Sequence, residues 1–242
     1  MSARAIPASV GVWLLAGVLG CGSVPAAPER ATATAAAAPA AHEPAAEAEG
    51  IDPARRIVFL GDSLTAGLGL PADESYPSLI QRRLEARGGG WTVVNAGVSG
   101  DTSAGGVRRL DWSIDGGAAV VVIALGGNDG LRGLPVSELS ANLETLITRS
   151  LASGARVILA GMEAPPNYGP EYTAGFRRIY PTLAARHGVT LVPFLLDGVA
   201  GIDSLNQGDG IHPNREGARR VADTVWKALD PILGEIEAES AR

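Results

Sequence analysis

The sequence predicts an α/β fold of three layers (α/β/α), with a five-stranded parallel sheet in the flavodoxin-like order 2-1-3-4-5. Two observations predict it. Five short, β-branched apolar runs are typical of strands that are buried on both faces of a sheet. Helix-length amphipathic segments separate these runs, and because crossovers between parallel strands are right-handed, this alternation predicts helices on both sides of the sheet.

The predicted elements begin where the composition changes, at residue 56. The strands are RIVFLG (56–61), WTVVN (91–95), AAVVVIALGG (118–127), ARVILAG (155–161) and VTLVPF (189–194). The helices cover residues 73–87, 101–113, 136–153, 171–187 and 214–229, and Gly188 is expected to end the fourth. We therefore expect one folded domain over residues 56–233, followed by a C-terminal tail over residues 234–242.

The first 21 residues have the pattern of a signal peptide. Arg4 precedes the apolar run VGVWLLAGVLG, which is too short to cross a bilayer of about 30 Å comfortably, and the run ends at Cys21. The sequence VLGC resembles the lipobox of bacterial lipoproteins, which implies that Cys21 is the site of lipid attachment. The protein is then expected on the cell envelope, anchored to a membrane by its acyl chains. An ordinary signal peptide with an incidental cysteine is the alternative.

Residues 22–55 are rich in Ala, Pro and Glu and show no apolar periodicity. Such a segment buries too little apolar area to offset the entropy of ordering, so it is predicted to be a disordered tether. His42 lies in it and is not expected to be catalytic.

Composition excludes several functions. The formal net charge is -6, and no basic stripe with interleaved aromatic residues is present, so nucleic acid is not an expected partner. Cys21 is the only cysteine, which excludes an intrachain disulfide and a thiolate metal cluster. We expect a monomer that uses neither a metal nor another cofactor.

Polar clusters follow four of the predicted strands. Ser63 follows the first strand, Gly97 and Gly100 the second, Asn128 the third, and the pair Asp209 and His212 the last. Taken singly, each has a structural explanation as a helix cap or a turn residue. The carboxyl ends of parallel strands share one edge of the sheet, where ligands of such folds bind, so we expect these residues to meet there.

These residue types suit nucleophilic catalysis by a serine. The reaction needs a hydroxyl, a base, a carboxylate that orients the base, and donors for the oxyanion. Of the two histidines in the folded part, His187 has a structural role at a helix C-terminus, which leaves His212 as the base for Ser63 and Asp209 as its partner. The backbone N–H groups of Ser63 and Gly100 and the side-chain amide of Asn128 are the candidate oxyanion donors. The surroundings of Ser63 do not form the G-x-S-x-G elbow of the α/β-hydrolases.

The ordered blocks FLGDSLTAG, VVNAGVSGDTS, LGGNDGLRG and DGIHPN resemble the SGNH hydrolases, also called the GDSL family. Ser63, Gly100, Asn128 and His212 match the four signature residues, and Asp209 matches the aspartate three places before the histidine. The resemblance covers about residues 57–233 and is similar to the bacterial branch of arylesterases, acyl-CoA thioesterases and lysophospholipases.

In that branch the loop after the fourth strand shapes the acyl groove. The resemblance therefore implies that residues 161–172, with Pro166, Asn167 and Tyr168, bind substrate. The alternative is that this Pro- and Gly-rich segment is only a connector. Glu163 and Ala164 stand where bulky apolar or basic side chains are expected, so the preferred chain length stays open.

The expected function is hydrolysis of carboxylic esters of acyl groups through an acyl-enzyme. If Cys21 anchors the protein outside the cytoplasm, acyl-CoA is largely inaccessible there, which favours small acyl esters or lysophospholipids. Three alternatives stay open: an O-deacetylase of polysaccharide or peptidoglycan, a tethered binding module without catalysis, and metal-dependent phosphoester chemistry that uses Asp62, Asp101 and Asp129.

Overall fold

The computed structural model describes residues 52–242, and the predicted signal peptide, Cys21 and nearly all of the predicted tether lie outside these residues. The five strands are β1 (Arg56–Gly61), β2 (Thr92–Gly97), β3 (Val120–Ala124), β4 (Arg156–Ala160) and β5 (Thr190–Val192). All pair in parallel, in the order β2-β1-β3-β4-β5. The predicted fold class and strand order are confirmed.

Seven α-helices accompany the sheet in the described part of the chain. They are α1 (Ser63–Ala66), α2 (Tyr76–Arg87), α3 (Ser103–Ser113), α4 (Gly127–Leu131), α5 (Val136–Ala152), α6 (Pro170–His187) and α7 (Arg215–Ser240). The contacts join α3 to α5 and α5 to α6, and separately α2 to α7, which gives one helical layer on each face of the sheet. None of the helices within residues 52–242 combines the length and the apolar character that crossing a bilayer requires.

The core lies on both faces of the two central strands. Every residue of β1 and of β3 is buried, which explains why their sequences are continuously apolar rather than alternating. Phe59 of β1 packs edge-on against Tyr76 at the start of α2, with ring centroids 5.7 Å apart. This packing fixes the carboxyl end of β1, from which the chain turns into α1.

The ends of the domain differ from the prediction. The last helix continues to Ser240, so residues 234–240 are helical and are not a tail. Leu233 is buried, Trp91 donates to Glu237 at 2.8 Å, and Arg156 pairs with Glu239 at 2.6 Å. These contacts stabilise the helix beyond Pro231, although a proline inside a helix is unfavourable. At the other end, Pro53–Arg55 form a 3-10 turn, so these last residues of the predicted tether are ordered.

Candidate active site

Ser63 is the first residue of the short helix α1, directly after β1. Asp62, rather than Ser63, caps this helix, since its Oδ1 accepts the N–H of Leu64 at 3.0 Å. Thr65, a second hydroxyl residue of this helix, instead bonds the hydroxyl of Tyr76 at 2.8 Å. The hydroxyl of Ser63 is therefore not used by the helix and is available for a different partner.

That partner is His212, 149 positions later in the chain. Ser63 Oγ lies 2.8 Å from His212 Nε2, and the other ring nitrogen, Nδ1, lies 2.6 Å from Asp209 Oδ2. The Nδ1 contact with the carboxylate favours a proton on Nδ1, which leaves Nε2 as the acceptor that faces the serine. The structure thus brings together Ser63, His212 and Asp209 as the sequence predicts.

The loop that carries His212 is held by backbone contacts. Asn206 and Pro213 form an isolated antiparallel bridge, and the N–H of Gln207 donates to the carbonyl of His212 at 2.7 Å. The side chain of Gln207 donates to the carbonyl of Leu68, again at 2.7 Å, which ties this loop to the segment after α1. These contacts therefore hold the loop that carries His212 in place beside the segment that carries Ser63.

Asp209 is built to stay ionised. Its Oδ1 accepts the backbone N–H groups of His212 at 3.0 Å and Ile211 at 2.9 Å. The pKa of Asp209 is held well below its usual range, and the bond from the His212 N–H has the largest effect. The bond from the Ile211 N–H and the contact with the imidazole act in the same direction. The carboxylate can therefore stabilise an imidazolium at His212.

Gly100 occupies the third position of a turn from Val98 to Asp101, whose N–H donates to the Val98 carbonyl at 3.1 Å. Its φ of 83° lies in the left-handed region, which a side chain disfavours. The N–H of Val98 donates to the carbonyl of Gly61 at 3.0 Å, so the turn is fixed against the end of β1, next to Ser63. Glycine at position 100 therefore has a conformational reason as well as the predicted one of close substrate approach.

Asn128 lies on α4 and faces both other parts of the site. Its Nδ2 donates to the carbonyl of Asp101 at 2.9 Å and lies 3.4 Å from Oδ2 of Asp62. The first contact fixes the amide beside the Gly100 turn, and the second is long and weak. A substrate oxygen would compete with Asp62 for the second amide proton.

Asp62 is almost fully buried at the centre of the site. Burial raises its pKa to about 6, although the N–H of Leu64 and the nearby His212 act in the opposite direction. From the sequence, Asp62 is a candidate only for a metal ligand.

The three aspartates of the metal hypothesis contact different partners. Asp129 accepts the N–H and hydroxyl of Ser103 at 2.8 and 2.6 Å, and Asp101 pairs with Arg109 at 2.5 Å. Within residues 52–242, no three side chains of the usual ligand types are grouped as a metal site.

Arg109 is a further site residue that sequence reasoning missed. Besides Asp101, its guanidinium donates to the carbonyl of Ala96 at 2.6 Å and of Gly61 at 2.7 Å, so it joins the ends of β1 and β2 to the Gly100 turn. The signal in the sequence was an arginine eight positions after Asp101, which lies just before α3.

Pro166, Asn167 and Tyr168 form a 3-10 helix after β4. The hydroxyl of Tyr168 donates to the carbonyl of Leu131 at 2.9 Å, so the segment lies against α4. None of the three residues lines the small cavity of about 10 Å³ beside Ser63 and His212, whose walls include Leu64, Leu68, Tyr76 and Leu196. Their role in binding stays a prediction.

His187 lies outside the site. It is the last residue of α6, and its Nε2 lies 3.1 Å from Glu144. This placement agrees with the predicted structural role at a helix C-terminus.

Comparisons with known proteins give consistent results. Residues 59–220 match the model of the GDSL-like Lipase/Acylhydrolase family. The chain is 45% identical to Esterase TesA of Pseudomonas aeruginosa over 181 residues, which cover 74% of this chain and 90% of that protein. It is 36% identical to Thioesterase 1/protease 1/lysophospholipase L1 of Escherichia coli, over 73% of this chain and 84% of that protein. The crystal structure of esterase EstA from Pseudoalteromonas sp. inhibited by monoethylphosphonate superposes with a TM-score of 0.71 at 34% identity, covering 74% of this chain and 99% of that one.

Proposed function

The chain belongs to the GDSL-like lipase/acylhydrolase family and is a serine ester hydrolase, and we propose that Ser63, His212 and Asp209 are its catalytic residues. The observation that carries this proposal is the continuous contact from Asp209 through His212 to the hydroxyl of Ser63, with both links within hydrogen-bond distance.

In the proposed mechanism Ser63 Oγ attacks the acyl carbonyl while His212 Nε2 accepts the hydroxyl proton. The tetrahedral intermediate collapses as His212 returns this proton to the departing alcohol, which leaves the acyl group on Ser63. Water then attacks the acyl-enzyme with His212 again as base, and the carboxylic acid and the free serine are released. Asp209 stabilises the imidazolium in both steps.

The proposed oxyanion donors are the backbone N–H groups of Ser63 and Gly100 and the amide of Asn128. They lie directly after β1, β2 and β3, which are neighbours in the sheet order, and this arrangement supports their convergence on one oxygen. Loss of one such donor typically costs about 100- to 1000-fold in rate.

For the natural substrate we propose a small acyl ester or a lysophospholipid at the cell envelope, with Cys21 as the lipid attachment site and the protein acting as a monomer. The lipobox-like VLGC supports the anchor, and the relatives named esterase and lysophospholipase support the ester class. A globomycin-sensitive change in mobility is the expected result, whereas an unmodified Cys21 in the mature protein contradicts the anchor.

The catalytic assignment is tested by covalent labelling with a fluorophosphonate, which reacts with an activated serine hydroxyl. We expect labelling at Ser63, none in Ser63→Ala, and strongly reduced labelling in His212→Gln. The matched control is His187→Gln, which removes the other histidine of the described domain and is expected to label normally. Absence of label on the intact protein contradicts the proposal.

Hydrolysis of lysophospholipid compared with acetylated polysaccharide then tests the substrate class. Preference for the polysaccharide contradicts the lipid proposal.

A further inference from the structure

The exposed apolar side chains of this domain are unevenly distributed. Within residues 52–242, eight large apolar residues are 38–54% exposed. Two of them, Trp112 and Leu151, lie at the C-terminal ends of α3 and α5, at the amino edge of the sheet. The other six follow the carboxyl ends of the strands and are called here the apolar collar: Leu68, Val98, Leu131, Tyr168, Ile202 and Ile211.

Half of the collar borders the proposed catalytic groups directly. Leu68 lines the small cavity beside Ser63, and Val98 begins the turn that holds Gly100. Ile211 precedes His212 in the chain. Two further collar residues contact each other, since the hydroxyl of Tyr168 donates to the carbonyl of Leu131 on α4. Isolated exposed apolar residues are ordinary, but their concentration around one functional group indicates an interaction surface.

Resting on the proposed function, we propose that the apolar collar docks the enzyme on a phospholipid surface, so that Ser63 meets an acyl ester still held in the lipid aggregate. Whatever covers the collar also covers the entrance to Ser63. A protein seated there would block the substrate, whereas a lipid surface supplies it. The collar residues come from the segments that follow all five strands, so the surface is assembled from five separate parts of the chain.

The chemistry of the surface agrees with this occupant. Half-exposed Leu, Ile and Val side chains gain free energy when they leave water, and the ring and hydroxyl of Tyr168 suit the boundary between acyl chains and headgroups. Arg132, next to Leu131, is exposed and donates to the carbonyl of Gly100 at 2.9 Å, which puts a cation beside the collar for a lipid phosphate. The formal net charge of -6 does not favour binding of the protein to an anionic bilayer. Docking is therefore tested on a zwitterionic lipid surface.

The test places an environment-sensitive fluorophore at single positions of the full chain. Cys21→Ser removes the only native cysteine, and Ser63→Ala prevents hydrolysis during the measurement. In this background Leu131→Cys carries the label on the collar, and Leu151→Cys carries it at the opposite edge as a matched control. With phosphatidylcholine vesicles, we expect a blue shift and a several-fold rise in emission at position 131 but not at position 151.

A second variant measures the strength of docking. Ile202→Ser is added to the chain labelled at position 131. We expect it to raise the lipid concentration for half-maximal response about tenfold, because the Ile202 side chain leaves water in part when the collar docks. Trp112→Ser is the matched control and is expected to leave this concentration unchanged. Circular dichroism of each variant verifies that the domain is folded.

No response at position 131, or equal responses at positions 131 and 151, overturns the docking proposal. The fluorophosphonate assay separates this failure from failure of the proposed function. A labelled Ser63 without a lipid response overturns docking alone, whereas a lipid response without labelling supports docking and contradicts the catalytic assignment.

Discussion

Asp209 contacts His212 through both of its carboxylate oxygens, with Oδ2 at 2.6 Å from the imidazole Nδ1 and Oδ1 at 3.0 Å from the backbone N–H. One residue thus fixes both the loop and the ring. In Asp209→Asn an amide replaces the charge, so the imidazolium loses its stabilising partner. We expect kcat for p-nitrophenyl acetate to fall by about 10²- to 10⁴-fold. The control is Asp203→Asn, an exposed aspartate of the same connecting segment, and comparable rates in the two variants contradict the assignment.

Gly100→Ala tests the turn that presents the second of the proposed oxyanion donors. The new Cβ has open space, with Arg132 the nearest side chain at 3.9 Å, so the strain comes from the φ of 83° alone. We expect a loss of about 1–2 kcal/mol in stability and at least a tenfold fall in kcat as the N–H shifts.

Gly154→Ala is the matched control for this strain. Gly154 has a φ of 88° and also has open space around it, but it lies at the amino edge of the sheet. It should lose similar stability in urea unfolding while keeping full activity. Equal activity of the two variants would show that the Gly100 turn does not matter for the reaction.

Arg109 is expected to position the oxyanion groups without touching substrate. Arg109→Lys keeps the positive charge but loses the planar fork that reaches Asp101, Ala96 and Gly61 together. We expect kcat to fall by about tenfold with KM little changed, as for an interaction realised in the transition state. The neighbouring exposed Arg108→Lys is the control, and a change confined to KM contradicts the positioning role.

Asp62→Asn changes the pH dependence of stability. Burial raises the pKa of Asp62 from 3.8 to about 6, so the folded protein binds this proton more tightly than the unfolded chain does. The stabilising contribution is therefore present below about pH 4 and is lost as the pH rises through about 6. Relative to the wild type, the variant should gain up to about 3 kcal/mol in the free energy of unfolding across this range.

Urea unfolding between pH 4 and pH 8 measures this gain, with the exposed Asp197→Asn as a control that should show none. Activity should nevertheless decrease, because the new amide faces the amide of Asn128 with a donor where the carboxylate was an acceptor. A pH-independent difference between the variant and the wild type would contradict the buried ionisation.

The sheet order and the meeting of Ser63 with His212 could be predicted from the sequence. Both follow from general rules, since buried parallel strands read as continuous apolar runs and their carboxyl ends share one edge. The helices α1 and α4 were not foreseen, because segments of four and five residues are too short to show helical periodicity, and two of the five residues of α4 are glycine.

Other features depend on contacts between distant parts of the chain. Arg109 donates to the carbonyl of Gly61, 48 positions away. Because every residue type has a backbone carbonyl, the sequence does not indicate which residue accepts this bond. The end of α7 is likewise set by Glu237 meeting Trp91 and by Arg156 meeting Glu239. Local propensity favours a helix end near Pro231, and tertiary packing overrides it.

The contact between Ser63 and His212 spans 149 positions and joins the first strand of the domain to the segment before its last helix. During synthesis the serine is made well before the imidazole that is its proposed base. Under that assignment, a chain that stops upstream of His212 carries a Ser63 hydroxyl without its base and is expected to lack esterase activity.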